Sequence, residues 1–212
     1  MKALIINFNR LTLPIKTSLW CANHGLEPIF IDNNSTYLPL LEYYATRCPF
    51  KVLRMDQNYG AHVIWHQNVL NKLGITGNYI VTDPDLDLSG IPDDFLSVLE
   101  AGLRKYPNFD KCGFSLSLDG VKNEGTLDWE APFWKLPLDN LYFNAIIDTT
   151  FALYKTHTFS FSGIRTNKPY CAIHVPWQYD RVEDLPEDEQ FYYRTQDEDT
   201  ANHTHVKKGE KK

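Results

Sequence analysis

Asp83-Pro84-Asp85 closes the hydrophobic run Asn78-Tyr79-Ile80-Val81-Thr82. On an extended strand, carboxylates two residues apart point to the same side. Pro84 fixes its own φ and pushes Asp83 toward the extended region. Two converging carboxylates form a hard-oxygen seat for Mg²⁺ or Mn²⁺ that substrate phosphates would complete. The same residues also form ordinary turns, so the reading depends on what surrounds them. After the first apolar run, Asn7-Phe8-Asn9-Arg10-Leu11 stands where a dinucleotide fold would place G-x-G-x-x-G, and no P-loop lysine motif occurs. A bound diphosphate would therefore need another source of positive charge, which a metal at Asp83 and Asp85 supplies. An EF-hand is excluded: Asp83, Asp85 and Asp87 match its first ligand positions, but Leu88 replaces the required glycine and Asp94 the final glutamate. An aspartyl phosphatase also uses D-x-D after a strand, but usually after the first strand of its domain, whereas this one follows the fourth.

The elements that must position these residues alternate. Ala3–Phe8 reads as a strand, Pro14 suits the first turn of a helix that Gly25 stops, and Pro28–Ile31 is a second strand ending in Asp32-Asn33-Asn34-Ser35. Leu38, Leu41 and Ala45 share a helical face, and Lys51–Met55 is a third strand. The pattern predicts a helix over His62–Leu73 closed by Gly74, a fourth strand over Asn78–Thr82, a helix over Asp93–Arg104 and a fifth strand over Lys111–Leu118. Such alternation implies an α/β fold with a mostly parallel central sheet and helices on both faces. Ligands bind such sheets at the carboxyl ends of the strands, where Asp32, Asn58 and Asp83 fall. Asp119–Asn140 lacks periodicity and reads as a long functional loop, and Asp148–Tyr154 resumes an extended pattern. An acidic stretch follows Asp180, and residues 201–212 read as a polar tail, so that 1–200 form one domain of a longer protein with possible further domains.

The 212 residues are 43% apolar and 14% aromatic, enough for a substantial core. A net charge of −6 argues against nucleic-acid binding, which needs a basic face. Cys21, Cys48, Cys112 and Cys171 are widely spaced and read as reduced thiols of a cytoplasmic protein. No apolar run reaches membrane-spanning length, and no signal peptide is expected.

Together, Ile5-Ile6-Asn7-Phe8-Asn9-Arg10, Phe30-Ile31-Asp32-Asn33-Asn34-Ser35, Asn58-Tyr59-Gly60 and Tyr79-Ile80-Val81-Thr82-Asp83-Pro84-Asp85 resemble the GT-A nucleotide-sugar-binding fold. The similarity is to inverting rhamnosyl- and glucosyltransferases, and the whole chain resembles the N-terminal glycosyltransferase domains of multidomain proteins of large algal viruses. That resemblance implies roles by position. Asp32 would accept the N3–H of uracil, although an Asx-turn with Asn33 and Asn34 is an equal reading of the same residue. Asn7 and Arg10 would touch the nucleotide or its diphosphate, and Asn58 and Gly60 would flank it. Asp83 would hold the ribose or a metal-bound water, and Asp85 would bind the metal. Asp87 is read as the cap of the following turn.

Later residues match less specifically. His174, in Cys171–Trp177, is the candidate to complete a metal shell. A lone histidine beside Val175 and Pro176 is otherwise a structural residue. Asp148 is the first candidate for the general base, with Asp128 and Glu130 as alternatives. Arg165 and Lys168 could steady the leaving phosphates, and Trp129, Trp134 and Trp177 could stack on sugar. His203 and His205 have metal-like spacing but fall in the polar tail. The implied activity is metal-dependent, inverting transfer of a hexose or deoxyhexose, glucose or rhamnose, from a UDP-sugar to a glycan acceptor. A binding module that keeps the fold without turnover is the competing expectation.

Overall fold

The structure, a computed structural model, describes residues 1–196. The predicted positions His203 and His205 and the tail at 201–212 lie outside the described residues. In chain order the elements are β1 (Lys2–Asn7), α1 (Thr12–Asn23), β2 (Glu27–Asp32), α2 (Leu38–Thr46), β3 (Lys51–Arg54), α3 (Val63–His66), α4 (Val69–Lys72), β4 (Tyr79–Thr82) and β5 (Leu86–Asp87). There follow α5 (Phe95–Lys105), β6 (Lys111–Leu116), α6 (Glu124–Glu130), β7 (Tyr142–Asn144), β8 (Ala152–Tyr154), β9 (Ile164–His174) and α7 (Glu187–Thr195).

The β-α alternation of the first half produces the expected α/β architecture. β3, β2, β1 and β4 lie side by side and parallel, as β-α-β crossovers require. Register sets the carboxyl ends level: Asn7 stands opposite Asp32, and Ile5 opposite Thr82. Every residue of β4 is buried, the mark of a strand covered on both faces. The period of two then divides neighbours between two cores. Ala3, Ile80 and Leu153 pack with α1 and α5, whereas Leu4, Val81 and Ala152 pack with α3 and α4.

The second half makes the sheet mixed. β8 runs antiparallel between β4 and β6, and β9 lies parallel to β6 while carrying β5 and β7 antiparallel. Gly113 allows the tight approach of β6 to β8, because a Cβ there would stand 2.6 Å from the Phe151 carbonyl oxygen and 2.7 Å from Ala152 Cβ.

Several local expectations are corrected. The helix expected over His62–Leu73 is two short helices, broken where Asn68 turns left-handed at φ 54°. The Asp119–Asn140 segment is not simply loop. It contains α6, whose first amide groups at Gly125 and Thr126 donate to the Asn123 side chain, followed by a 3-10 turn over Ala131–Trp134. Within Asp148–Tyr154 only Ala152–Tyr154 pairs as a strand. The acidic stretch after Asp180 contains α7, which starts after Pro186 with Glu187, Asp188 and Glu189 in its first turn, where anions favour the helix dipole. Among the described residues all four cysteines are free, and no helix is long and apolar enough to cross a membrane.

Candidate functional site

The level strand ends of β1, β2 and β4 deliver Asn7, Asp32 and Asp83 to one edge of the sheet. The loop leaving β1 is fixed by Asn9, which adopts φ 56°, a conformation asparagine tolerates. Its Oδ1 accepts from Thr36 N (2.6 Å) and Tyr37 N (3.0 Å), while its Nδ2 donates to Thr195 Oγ1 on α7 (2.8 Å). The loop after β2 is closed by Asp32, whose Oδ1 accepts from Ser35 N (3.0 Å) and Arg54 Nε (3.2 Å). The Asx-type turn of the sequence reading is thus present. The other oxygen, Oδ2, is buried without a partner.

These loops enclose a small first cleft of about 110 Å³, lined by Asn7, Arg10, Asn33, Asn58, Gly60 and Asp83, with Tyr192 on its far side. Gly60, at φ 73°, accepts from Asn33 Nδ2 through its carbonyl (3.0 Å) and donates through its amide to Asn58 Oδ1 (2.9 Å). Asp32 stands outside this lining and is fully buried. A second cleft of about 380 Å³ adjoins the first, and Asp83 lines both. His62, Glu130, Asp148, Arg165 and His174 line the second cleft with the rings of Trp129, Phe133, Phe161 and Trp177.

The strand expected to carry both carboxylates ends at Thr82, and the chain bends at Pro84 and Asp85. Half-buried Asp83 faces the clefts and accepts a hydrogen bond from Thr149 Oγ1. Asp85 turns inward: its Oδ2 lies 3.0 Å from Arg10 Nη1 and 3.4 Å from His174 Nε2. Arg10 also meets Glu189 of α7 at 2.9 Å and lies 3.5 Å over the Tyr192 ring. A row of Glu189, Arg10, Asp85 and His174 therefore runs under the first cleft, each at most 9% exposed.

One guanidinium stands between two buried carboxylates and neutralises one of them. Burial pushes Asp85 up, but Arg10 and His174 pull it below the usual carboxylate range. Glu189, pushed up by burial against the pull of Arg10, sits at about 7. Asp83 is likewise raised to about 7, by burial and then by the neighbouring Asp85 charge. Burial lowers His174 against the attraction of Asp85.

The remaining predicted residues divide. Asp148 reaches the second cleft, where its Oδ1 accepts from His62 Nε2 at 2.8 Å. Glu130 also lines it, is 1% exposed and is held in an ion pair with Arg165. Burial raises it to about 6 against the attraction of Arg165. Asp128 is exposed and lines neither cleft. Arg165 stands in the second cleft, donating to Glu130 and the Ile146 carbonyl. Lys168 pairs at the surface with Asp119 (2.7 Å), and Trp134 packs on Phe143, whereas Trp129 and Trp177 do reach the second cleft. Asp87 caps its turn by accepting from Ser89 N at 2.9 Å.

Sequence reasoning missed His62, Asn33 and the α7 residues Asp188, Glu189 and Tyr192. His62 had a signal, since it comes two residues after the Asn58-Tyr59-Gly60 motif. The Pro-Glu-Asp-Glu start of α7 was also readable as a helix N-terminus, but nothing in it indicates that the helix returns to β1.

Neither a protein-family model nor a curated protein matches the sequence. Among solved structures, the chain is similar to HddC from Yersinia pseudotuberculosis, at 11% identity and a TM-score of 0.48, covering 76% of this chain and 82% of that one. It is also similar to glucosyl-3-phosphoglycerate synthase from Mycobacterium tuberculosis in complex with phosphoglyceric acid, at 12% identity and a TM-score of 0.45. That match covers 73% of this chain but 56% of the synthase, so the chain spans about half of its length. For S. aureus TarS the values are 15% identity, a TM-score of 0.41 and coverage of 73% and 28%. No residue role or substrate is assigned from these likenesses.

Proposed function

We propose that this chain is an inverting glycosyltransferase that takes a hexose or deoxyhexose, glucose or rhamnose, from a UDP-sugar and passes it to a glycan hydroxyl. The observation that carries the reading is that Asp83, at the end of β4, forms the common wall of two adjoining clefts of different character. A transferase must bring a polar, anionic donor and a second substrate together at one point. The first cleft is polar and holds a guanidinium, Arg10, whose Nη2 is buried without a partner, a donor available to a phosphate oxygen. The second is lined by four aromatic rings, surfaces on which sugars stack. The choice of uridine rests on the resemblance, since Asp32, which it assigns to uracil, is fully buried outside the cleft lining.

Among the described residues no group of three or more His, Cys, Asp or Glu side chains converges as a protein-only metal cage. The donor set nevertheless fits a hard divalent cation completed by phosphate oxygens. Asp85 Oδ1 is buried without a partner, and Asp83, half-buried, faces both clefts. Asp83 and Asp85 would hold Mn²⁺ or Mg²⁺ beside His174, and the ion would supply Lewis-acid stabilisation of the departing diphosphate. Arg10, oriented by Glu189 and Tyr192, binds the phosphates from the protein side. The rings of the second cleft exclude water from the acceptor.

Calorimetric titration with UDP, with and without Mn²⁺ and against GDP and dTDP, tests this reading. Binding that requires uridine, is strengthened by Mn²⁺ and is lost in Asp85→Ala is expected. Absence of binding by every nucleotide would overturn it.

A further inference from the structure

A histidine stands at the junction of the two clefts. Gly60 and Ala61 line the first cleft, and His62, the next residue, lines the second together with Asp83 and Asp148. Its ring is held from several sides. Nε2 stands 2.8 Å from Asp148 Oδ1, the Phe159 ring centroid is 4.2 Å away, and Phe161 and His66 meet it edge-on at 5.8 Å. Asp148 is itself steadied through its backbone, whose carbonyl accepts from Tyr154 Oη (2.9 Å) and Lys111 Nζ (3.4 Å).

A carboxylate only accepts, so the neutral imidazole facing Asp148 carries its proton on Nε2. That leaves the Nδ1 lone pair as the proton-accepting site. Glu130 is sealed in its pair with Arg165 and Asp128 lies off the clefts, so no other predicted carboxylate competes with this pair at the acceptor side.

We propose that His62, oriented by Asp148, takes the proton from the acceptor hydroxyl; this rests on the transferase reading of the two clefts. Nδ1 accepts the proton, and the electron pair of the broken O–H bond forms the new bond to the anomeric carbon. The bond from that carbon to the diphosphate breaks, and its pair leaves on the diphosphate oxygen. The imidazolium formed is stabilised by Asp148, a positioning residue, and returns its proton to solvent. Besides Asp148, the titratable and charged groups around His62 are His66 beside it, Lys111 beneath the Asp148 backbone, and Asp83, Glu130, Arg165 and His174 around the second cleft.

The test uses the full chain, UDP as the binding probe, and UDP-glucose with Mn²⁺ as the donor probe, with water and methyl glucosides as acceptors. His62→Gln should keep the wild-type affinity for UDP and lose roughly 10²- to 10⁴-fold in sugar release and transfer, the contribution of a positioned base. ¹⁵N spectra of the imidazole nitrogens should show His62 protonated at Nε2 in the neutral wild-type ring and a mixture of tautomers in Asp148→Asn. If His62→Gln stays within about threefold of wild type while Asp148→Asn abolishes transfer, Asp148 is the base and the proposal falls. A neutral ring protonated at Nδ1 also overturns it, and this measurement decides alone if UDP-glucose is not turned over. Failure of the wild type to bind UDP is a separate result that removes the transferase reading and the proposal with it.

Discussion

Replacing Arg10 by Met removes the guanidinium that bridges Asp85 and Glu189. Arg10 is 5% exposed, Asp85 2% and Glu189 0%, and the three are joined at 3.0 and 2.9 Å. Methionine matches the aliphatic stem but leaves two buried carboxylates facing each other without a counter-charge, and it forfeits the contact over Tyr192. Removing one partner of a buried ion pair costs about 3–5 kcal/mol, a large share of the roughly 5–15 kcal/mol that holds a domain folded. For a protein of this size that corresponds to a fall in Tm of roughly 6–20 °C. Urea unfolding at pH 7.5, followed by circular dichroism, measures it as a shift in midpoint. Arg10→Met combined with Glu189→Gln should recover part of the loss, because only one charge then remains unpaired. A loss below about 1 kcal/mol in Arg10→Met, or no recovery in the double variant, would refute the claim that this row of charges holds α7 to β1.

Lys111 is fully buried and donates to the Ile147 and Asp148 carbonyls and to Tyr154 Oη; burial lowers it from 10.5 to about 8. Its folded value lies below its unfolded one, so the penalty is fully present below pH 8 and fades as pH rises toward 10.5. The wild type should therefore gain roughly 2.5 kcal/mol over Lys111→Met between pH 7 and 10, and a pH-independent difference would contradict this. Gly113→Ala should cost about 1–3 kcal/mol, since its Cβ meets backbone at 2.6 Å on β8; an unchanged Tm would show that β6 and β8 can separate freely. At Gly60 no atom stands within 4 Å of an added Cβ, but φ is 73°. Gly60→Val should thus weaken UDP binding through backbone strain of about 1–2 kcal/mol, and Gly60→Asn should weaken it less. Equal affinities in calorimetry would show that this conformation does not matter.

The first half of the fold was legible because its elements are specified locally. Apolar strands of four to six residues alternate with helices marked by Pro14 and Gly25, and that alternation calls for a mostly parallel sheet. The long-range part was hidden. β9 is a long strand interrupted by polar residues, and β8 runs antiparallel between two neighbours it does not follow in sequence. Neither property produces a periodic signal. Within the site, Asp83 and Gly60 were readable because strand ends and turns restrict backbone. The reading of Asp85 as an open ligand did not anticipate Arg10, because the side chain that neutralises a buried carboxylate is chosen by the tertiary fold. The pairing of Glu130 was hidden for the same reason: its partner Arg165 lies 35 residues away.

The clamp between α7 and the β1 exit loop has a consequence for the order in which this protein can be completed. Asp188 Oδ2 accepts from Leu11 N (2.8 Å) and Thr12 N (2.6 Å), 177 and 176 residues distant in the chain, and Thr195 accepts from Asn9, 186 residues away. During synthesis at roughly 5–20 residues per second, the parallel strands β1 to β4 are complete at Thr82, well before β9 begins at Ile164 and α7 at Glu187. Arg10 must wait in that interval with Glu189 not yet made. The first cleft is therefore among the last features to form, and its closure is a loop-closing event of high contact order. Nascent chains arrested before Glu187 has left the ribosome would carry a sheet without a working cleft.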